Sequence, residues 1–257
     1  MNVRNKRRKF GQNYLTDPAI LYEMEESISP QAHDRFIEIG PGMGALTKIL
    51  NHQSVHITAI DIDEDNISYL EKSLDGPAEY NFIQGDILKS DFAFLDSNDH
   101  RIVGNLPYNI STQIILKLIK HYNQIKDMHF LIQREVAEKI TGSPGSKDWG
   151  KLGIKLSAFF QTEILFDVPP EAFDIKPKVT SSFIRMSPLR KSLVSDDEMK
   201  NFFEIVDLSF MSRRKNIKNN LKSKKIDWDS LQIDNQLRPE DLSLESYLKI
   251  AREIAKI

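Results

Sequence analysis

The stretch that decides the fold is Phe36-Ile37-Glu38-Ile39-Gly40-Pro41-Gly42-Met43-Gly44-Ala45-Leu46. Phe36–Ile39 is a short apolar run of strand character. Three glycines then alternate through a loop, and Leu46, Ile49 and Leu50 open a helix. Glycines let the backbone turn tightly and let a ligand approach the main chain, while the helix start offers free N–H groups. A tight turn with no ligand would read the same way, so the surroundings of the loop must decide.

Downstream, strands and helices alternate. Val55–Ile60 reads as a strand ending at Asp61, and Ile67, Leu70 and Leu74 mark a helix. Tyr80–Gln84 and Arg101–Val103 are further strands. Ser111 can cap a helix with Ile114, Ile115, Leu118, Ile119 and Tyr122 on one face. Met128–Ile132 is a fifth strand, followed by a helix from Val136 to Ile140. This rhythm with short connections predicts an α/β fold, a parallel sheet covered on both faces. Upstream, Asp17-Pro18 reads as a helix start, with Ile20, Leu21, Met24 and Ile28 at helical spacing.

Past a polar loop from Thr141 to Lys151, a helix near Leu152–Phe160 precedes two strand-like runs, Glu163–Val168 and Ser181–Met186. These are expected to pair as a hairpin at the sheet edge. From Asp196 to Ile257 only helical periodicity remains. The expected division is therefore a domain over 1–190, with a basic N-terminal arm, and a small helical domain over 191–257.

The glycine loop can be read further. Asp61 stands twenty-one positions after Gly40, at a strand tip, where an acid bonds ribose hydroxyls. Dinucleotide sites favour G-x-G-x-x-G, whereas the spacing here is G-x-G-x-G preceded by Glu38. Asp86 ends the third strand and can accept from an adenine amino group. Acids at three successive strand ends suit a nucleoside cofactor with few phosphates, and the glycine spacing disfavours a nicotinamide dehydrogenase.

Asn105-Leu106-Pro107-Tyr108 follows the fourth strand, at the carboxyl edge where ligands bind in open α/β sheets. An adenine amino nitrogen is a poor nucleophile because its lone pair is delocalised into the ring. The Asn105 amide oxygen and a carbonyl of the Leu106-Pro107 turn can accept its two hydrogens and draw it toward pyramidal geometry, by electrostatic preorganisation. Proline gives a rigid turn without a competing donor, and Tyr108 offers a face for base stacking. Standing alone, the same four residues would read as an Asn-Pro turn with a core tyrosine.

Together these motifs resemble the S-adenosylmethionine-dependent ribosomal RNA adenine dimethyltransferases, most closely the bacterial small-subunit type, over nearly the whole chain. Further stretches that carry the resemblance are Phe10-Gly-Gln-Asn-Tyr-Leu15, Asp127-Met-His-Phe130, Val168-Pro-Pro170, Pro177-Lys-Val179 and Arg213-Arg-Lys215. The resemblance implies a Rossmann-like methyltransferase fold with a small C-terminal all-helical domain. It also implies direct methyl transfer from S-adenosylmethionine to two adjacent adenosines near the 3′ end of small-subunit (16S) rRNA. Carried over, Asn13 and Leu15 contact the methionine end of the cofactor. Gly40 lies under it, Asp61 holds its ribose and Asp86 its adenine. Asn105 serves both cofactor and target, Tyr108 stacks the target base, and Phe173 closes its other side. Tyr14 stands where Phe is usual, and Asp61 where Glu is frequent. The implied partner is small-subunit rRNA in an immature small subunit, bound by a monomer.

The composition agrees with this class. The chain has 257 residues, 40% of them hydrophobic and 28% charged, which is ordinary globular composition with length enough for a core. Zero cysteines exclude disulfide frameworks, thiolate metal sites and the covalent cysteine adduct that C5-cytosine methyltransferases need. His52 and His56 are four apart but straddle a helix end and a strand start, so no metal site is expected. No apolar run approaches the roughly 20 residues of a membrane span, and the expected compartment is the cytoplasm.

The net charge of −2 conceals a segregation. Residues 1–16 carry five basic groups and no acid, and residues 208–226 carry seven and no acid, so the remainder carries −14. Either run alone is most simply a solvated face. Beside an adenine-modification motif, both read as phosphate contacts, with Arg7, Arg8, Lys9, Arg213, Arg214 and Lys215 the candidates. Two other readings stay open: a sister enzyme that modifies large-subunit RNA and confers macrolide resistance, and a ribosome-assembly factor whose main role is binding.

Overall fold

A computed structural model describes residues 13–255; the arm residues Arg7, Arg8 and Lys9 lie outside them. The chain divides into two compact units. The first holds the described residues up to Ala137 together with Glu163–Ser187; the second holds Glu138–Thr162 and the chain from Pro188 onward.

The first unit is an α/β sheet structure. Helix α1 (Pro18–Ile28) begins as its sequence dictates: the Asp17 carboxylate accepts from the main-chain nitrogens of Ala19 and Ile20, and Pro18 takes the first helical position. There follow β1 (Arg35–Ile39), α2 (Ala45–Ile49), β2 (His56–Asp61), α3 (Glu64–Ser73), β3 (Glu79–Gln84), β4 (His100–Asn105), α4 (Ser111–Leu118), β5 (Ile125–Gln133) and α5 (Arg134–Thr141). The helix foreseen through Tyr122 ends at Leu118 and tightens into a 3-10 segment, Ile119–Gln124.

Helix α6 (Lys151–Ser157), β6 (Phe160–Val168) and β7 (Ser181–Pro188) come next. The seven strands run in the order β3-β2-β1-β4-β5-β7-β6. β1 to β5 are parallel, and β7 lies antiparallel to β5 with Met128 opposite Met186. The two late strands are neighbours at the sheet edge, as their sequence suggests, with β7 inside. β4 is buried continuously from His100 to Gly104, as a central strand of a sheet covered on both faces is.

Strand order reverses between β1 and β4, so the loops after these two strands open the crevice in which ligands of such sheets bind. At the opposite, amino edge of the sheet a buried charge cluster pins the end of α1. Arg101, at the start of β4, donates to Asp34 at 2.6 Å, to Asp127 at 3.0 Å and to the Ile28 carbonyl at 2.6 Å at the end of α1. Residues 13–16, which precede α1, are held at the carboxyl edge by bonds to Asn105, Ala172 and Asp174.

The second unit is helical: α6, α7 (Asp196–Ser209), α8 (Ile217–Asn220), α9 (Trp228–Leu231) and α10 (Leu244–Ala255). α7 starts with a capping box in which Ser195 and Glu198 satisfy each other's main chain. Its core holds Phe159, Phe202, Val206, Tyr247 and Ile250, all fully buried. Trp149 donates to the Leu242 carbonyl at 2.8 Å and Tyr247 to the Pro239 carbonyl at 2.7 Å. The helical unit thus draws on 138–162 as well as on the tail foreseen at 191–257: Trp149 is bonded to Leu242 of the tail, and Phe159 packs edge-on against Phe203.

Candidate functional site

A cavity of about 500 Å³ opens at the carboxyl edge of the sheet. One wall is the glycine loop. Gly40, Gly42 and Gly44 adopt φ of 68°, 55° and 79°, a region that side chains rarely enter. At Gly42 a Cβ would also sit 2.7 Å from the Tyr14 ring, so glycine there lets the arm pack onto the loop.

Asp61 ends β2 at one side. Its Oδ2 accepts from the Gly42 main-chain nitrogen at 3.1 Å and from the Asn66 amide at 3.0 Å, and its Oδ1 from the Asp63 nitrogen at 2.8 Å. Burial pushes its carboxyl up, against the pull of those hydrogen bonds. Glu38 is deeper, 1% exposed, and is pushed up to about 7 by burial and by the Asp61 charge, with Thr47 opposing in part. Its Oε2 is buried without a hydrogen-bond partner of normal geometry. Asp86 lines the rim, its Oδ1 accepting from the Leu88 nitrogen at 3.0 Å.

Across the crevice, Asn105 ends β4. Its amide nitrogen donates to the Asn13 carbonyl at 2.7 Å. The Leu106 nitrogen donates to the Leu131 carbonyl at 3.1 Å, which ties the turn to β5. The Pro107 carbonyl accepts from Ile110 at 3.1 Å and Ser111 at 3.0 Å, so it is engaged in starting α4. Among the described residues no hydrogen bond ends on the Leu106 carbonyl. The Tyr108 hydroxyl shares a 2.5 Å hydrogen bond with Ser181, and burial pushes its phenol up.

Asn13, Leu15, Gly40, Asp61 and Asp86 therefore line one cavity with Asn105, Leu106, Pro107 and Tyr108. Phe173 stands apart: it bridges Leu15 in antiparallel fashion but is 3% exposed and packs into the core behind it. Arg213, Arg214 and Lys215 are exposed on a loop of the helical unit. Asn220 shapes that loop, accepting from the Ser212 nitrogen at 3.1 Å and donating to the carbonyls of Ser212, Lys215 and Asn216 at 3.0, 3.2 and 3.3 Å. The Arg213 guanidinium lies 5.9 Å over the Phe210 ring. Among the described residues no group of three metal-ligating side chains occurs, and no helix is long and apolar enough to cross a membrane.

Three supporting residues carry no sequence signal: Asn66 behind Asp61, Ser181 on Tyr108, and Asp174, which accepts from the Tyr14 nitrogen at 3.2 Å. Each acts through a contact between segments remote in the chain or through burial.

The chain is similar to several known proteins. Two solved structures share the fold at 23% identity. One is a dimethyladenosine transferase from Plasmodium falciparum, with a TM-score of 0.79 over 94% of this chain and 97% of that one. The other is the 23S rRNA methyltransferase ErmE, with a TM-score of 0.73 over 95% and 100%. Among curated proteins, the ribosomal RNA small subunit methyltransferase A of Neisseria gonorrhoeae (strain NCCP11945) is 40% identical, covering 99% of this chain and 98% of its own length. Its namesake from Legionella pneumophila (strain Corby) is 41% identical over 97% and 98%. The ribosomal RNA adenine dimethylase model matches residues 3–256. The chain belongs to that family, the ribosomal RNA adenine dimethylases, methyltransferases whose methyl donor is S-adenosylmethionine.

Proposed function

We propose that this enzyme dimethylates the exocyclic amino groups of two adjacent adenosines in a loop near the 3′ end of small-subunit rRNA. We further propose that it does so in the cytoplasm, as a monomer, on an immature small subunit whose biogenesis it serves. The names of the relatives at 40 and 41% identity support the small-subunit target. The observation that carries the chemistry is the Asn105 amide, whose nitrogen is held by Asn13 so that its oxygen is left to accept from a substrate amino group.

The cavity fits a sulfonium nucleoside. A Cβ on Gly40 would meet no protein atom within 4 Å, so bare backbone faces the cavity where a ligand can lie against it. The Asp61 carboxylate suits ribose hydroxyls, Asp86 an adenine amino group, and Asn13 and Leu15 the methionine end. The partnerless Glu38 oxygen adds a buried acceptor for a hydroxyl or ammonium donor. When bound, S-adenosylmethionine supplies an electrophilic methyl on a positively charged sulfur.

The residues of the chain prepare the nucleophile. Asn105 Oδ1 and the Leu106 carbonyl accept the two amino hydrogens of adenine, and the lone pair gains density as the nitrogen pyramidalises. One such preorganised hydrogen bond is worth about 3 kcal/mol in the transition state. Tyr108, its ring orientation fixed by Ser181, stacks the base for roughly 1–3 kcal/mol. Phe173 contributes by backing Leu15. A base in a loop can be splayed out at low cost, which suits this recognition. Arg213, Arg214 and Lys215 take phosphates, as do Arg7, Arg8 and Lys9 in the arm, and the helical domain over 191–257 faces the RNA.

The test is labelled S-adenosylmethionine with small subunits lacking the modification, followed by nucleoside analysis. Dimethyladenosine in small-subunit RNA, with none in large-subunit RNA, is expected. Label in large-subunit RNA alone overturns the target.

A further inference from the structure

We propose that Tyr14 and Asn66 form a latch that holds residues 13–16 against the bound cofactor and slows its release. The proposal rests on S-adenosylmethionine occupying the cavity described above.

All four residues from Asn13 to Thr16 line that cavity. One wall holds them through the main chain: Asn105 donates to the Asn13 carbonyl at 2.7 Å, Asp174 donates its main-chain N–H to the Tyr14 carbonyl at 3.0 Å, and Thr16 donates to the Ala172 carbonyl at 2.9 Å. The opposite wall is the glycine loop with Asp61. Tyr14 reaches across to it. Its ring packs against Gly42, and its hydroxyl donates to Asn66 Oδ1 at 3.2 Å.

Asn66 is 4% exposed. Its amide nitrogen donates to Asp61 Oδ2 at 3.0 Å. That bond fixes which end of the amide faces Tyr14, so the acceptor is presented to the phenol and not another donor. The chain Tyr14–Asn66–Asp61 thus joins the segment over the cavity to the acid assigned to the ribose. A ligand seated on Asp61 and covered by residues 13–16 leaves only when this connection opens.

The strength of the latch matches the task. Each target nitrogen takes two methyl groups, so spent cofactor must leave between transfers. A neutral hydrogen bond contributes enough to slow escape severalfold and too little to block it. Tyr14 and Asn66 are positioning residues that act through the arm and Asp61.

The experiment measures release of S-adenosylhomocysteine from the full-length protein by rapid-mixing displacement, in wild type, Tyr14→Phe, Asn66→Ala and the double variant. Tyr14→Phe deletes one oxygen and keeps the ring on Gly42, so thermal stability and small-subunit RNA affinity are expected to stay at wild-type values. Its release rate is expected to rise about 3- to 10-fold, with association no slower. The double variant is expected to match Asn66→Ala alone, since either change opens the same link. Unchanged release in Tyr14→Phe overturns the latch, and so does faster release in Asn66→Ala alone, which would make Asn66 a support for Asp61 only. If wild type itself fails to bind S-adenosylhomocysteine or S-adenosylmethionine, the cofactor reading falls and the latch with it, a result distinct from either of these.

Discussion

Asn105 and Asn13 are ninety-two residues apart in the chain, yet the side chain of one donates to the carbonyl of the other at 2.7 Å. An amide has a donor end and an acceptor end, so engaging the nitrogen determines where the oxygen lies. The segment from Asn13 to Thr16 therefore lines the cavity and also orients the Asn105 amide, the group proposed to receive the target amino hydrogens. On the proposed assignment, this one hydrogen bond couples the cofactor side of the reaction to its target side.

Asn105→Ala removes both halves of that arrangement. Methyl transfer is expected to fall by about 10²- to 10³-fold or more, by the magnitude of a lost preorganised donor or acceptor. RNA binding is expected to survive, because the exposed basic loop lies elsewhere in the chain. Single-turnover methylation and a filter-binding titration measure the two separately. Near wild-type transfer would refute the polarisation of the amino group.

Tyr108 offers a finer dissection. Tyr108→Phe keeps the stacking face and loses the 2.5 Å bond to Ser181, so a several-fold loss of activity is expected. Tyr108→Ala loses the face as well, and a larger drop of roughly 1–3 kcal/mol in target-base binding is expected. Equal defects in the two variants would assign the role of Tyr108 to its hydroxyl. Base-analogue fluorescence at the target position reads the stacking directly.

The sequence made much of this legible because its signals are local. Alternation of apolar runs with glycine, Asp61 and Asp86 marks strand ends, and a strand end in a parallel sheet is a position at the ligand edge. Asp17 before Pro18 marked the start of α1 on its own. Long-range placement is a different matter. That β7 lies between β5 and β6 depends on pairing Met128 with Met186, which no short window contains. Asn66 looks like any polar residue of a helix, and its importance comes from the buried oxygen of Asp61 above it. Phe173 shows the limit most plainly. An aromatic after Val168-Pro-Pro170 can face a base or a core, and burial behind Leu15 is decided by residues 158 positions away.

Glu38 predicts a pH signature. Burial and the Asp61 charge push its carboxyl from 4.5 in the unfolded chain up to about 7 in the fold. Below 4.5 it is protonated in both states and costs nothing. Between 4.5 and 7 the unfolded chain releases the proton while the folded protein keeps it, so stability falls as pH rises. Above 7 the loss is complete, on the order of 3 kcal/mol for this group. Glu38→Gln removes the titration. Urea unfolding at pH 5 and pH 8 is expected to show wild type losing more stability than the variant across that interval. Parallel pH profiles for the two proteins would contradict the shift.

The basic loop predicts a salt signature, because neutralised phosphates release counterions. Each phosphate contact contributes about 0.9 to the slope of log affinity against log salt, or about 0.7 on a single strand. Replacing Arg213, Arg214 and Lys215 together by alanine is expected to weaken small-subunit RNA binding and flatten that slope by about 2 to 3, with S-adenosylmethionine affinity intact. Asn220→Ala leaves all three charges in place but removes four hydrogen bonds that shape residues 212–216. Its expected effect is a weaker affinity with a slope closer to wild type, since the charges persist and only their arrangement loosens. RNA affinity unchanged across the salt series in the triple variant would remove this loop from the interface.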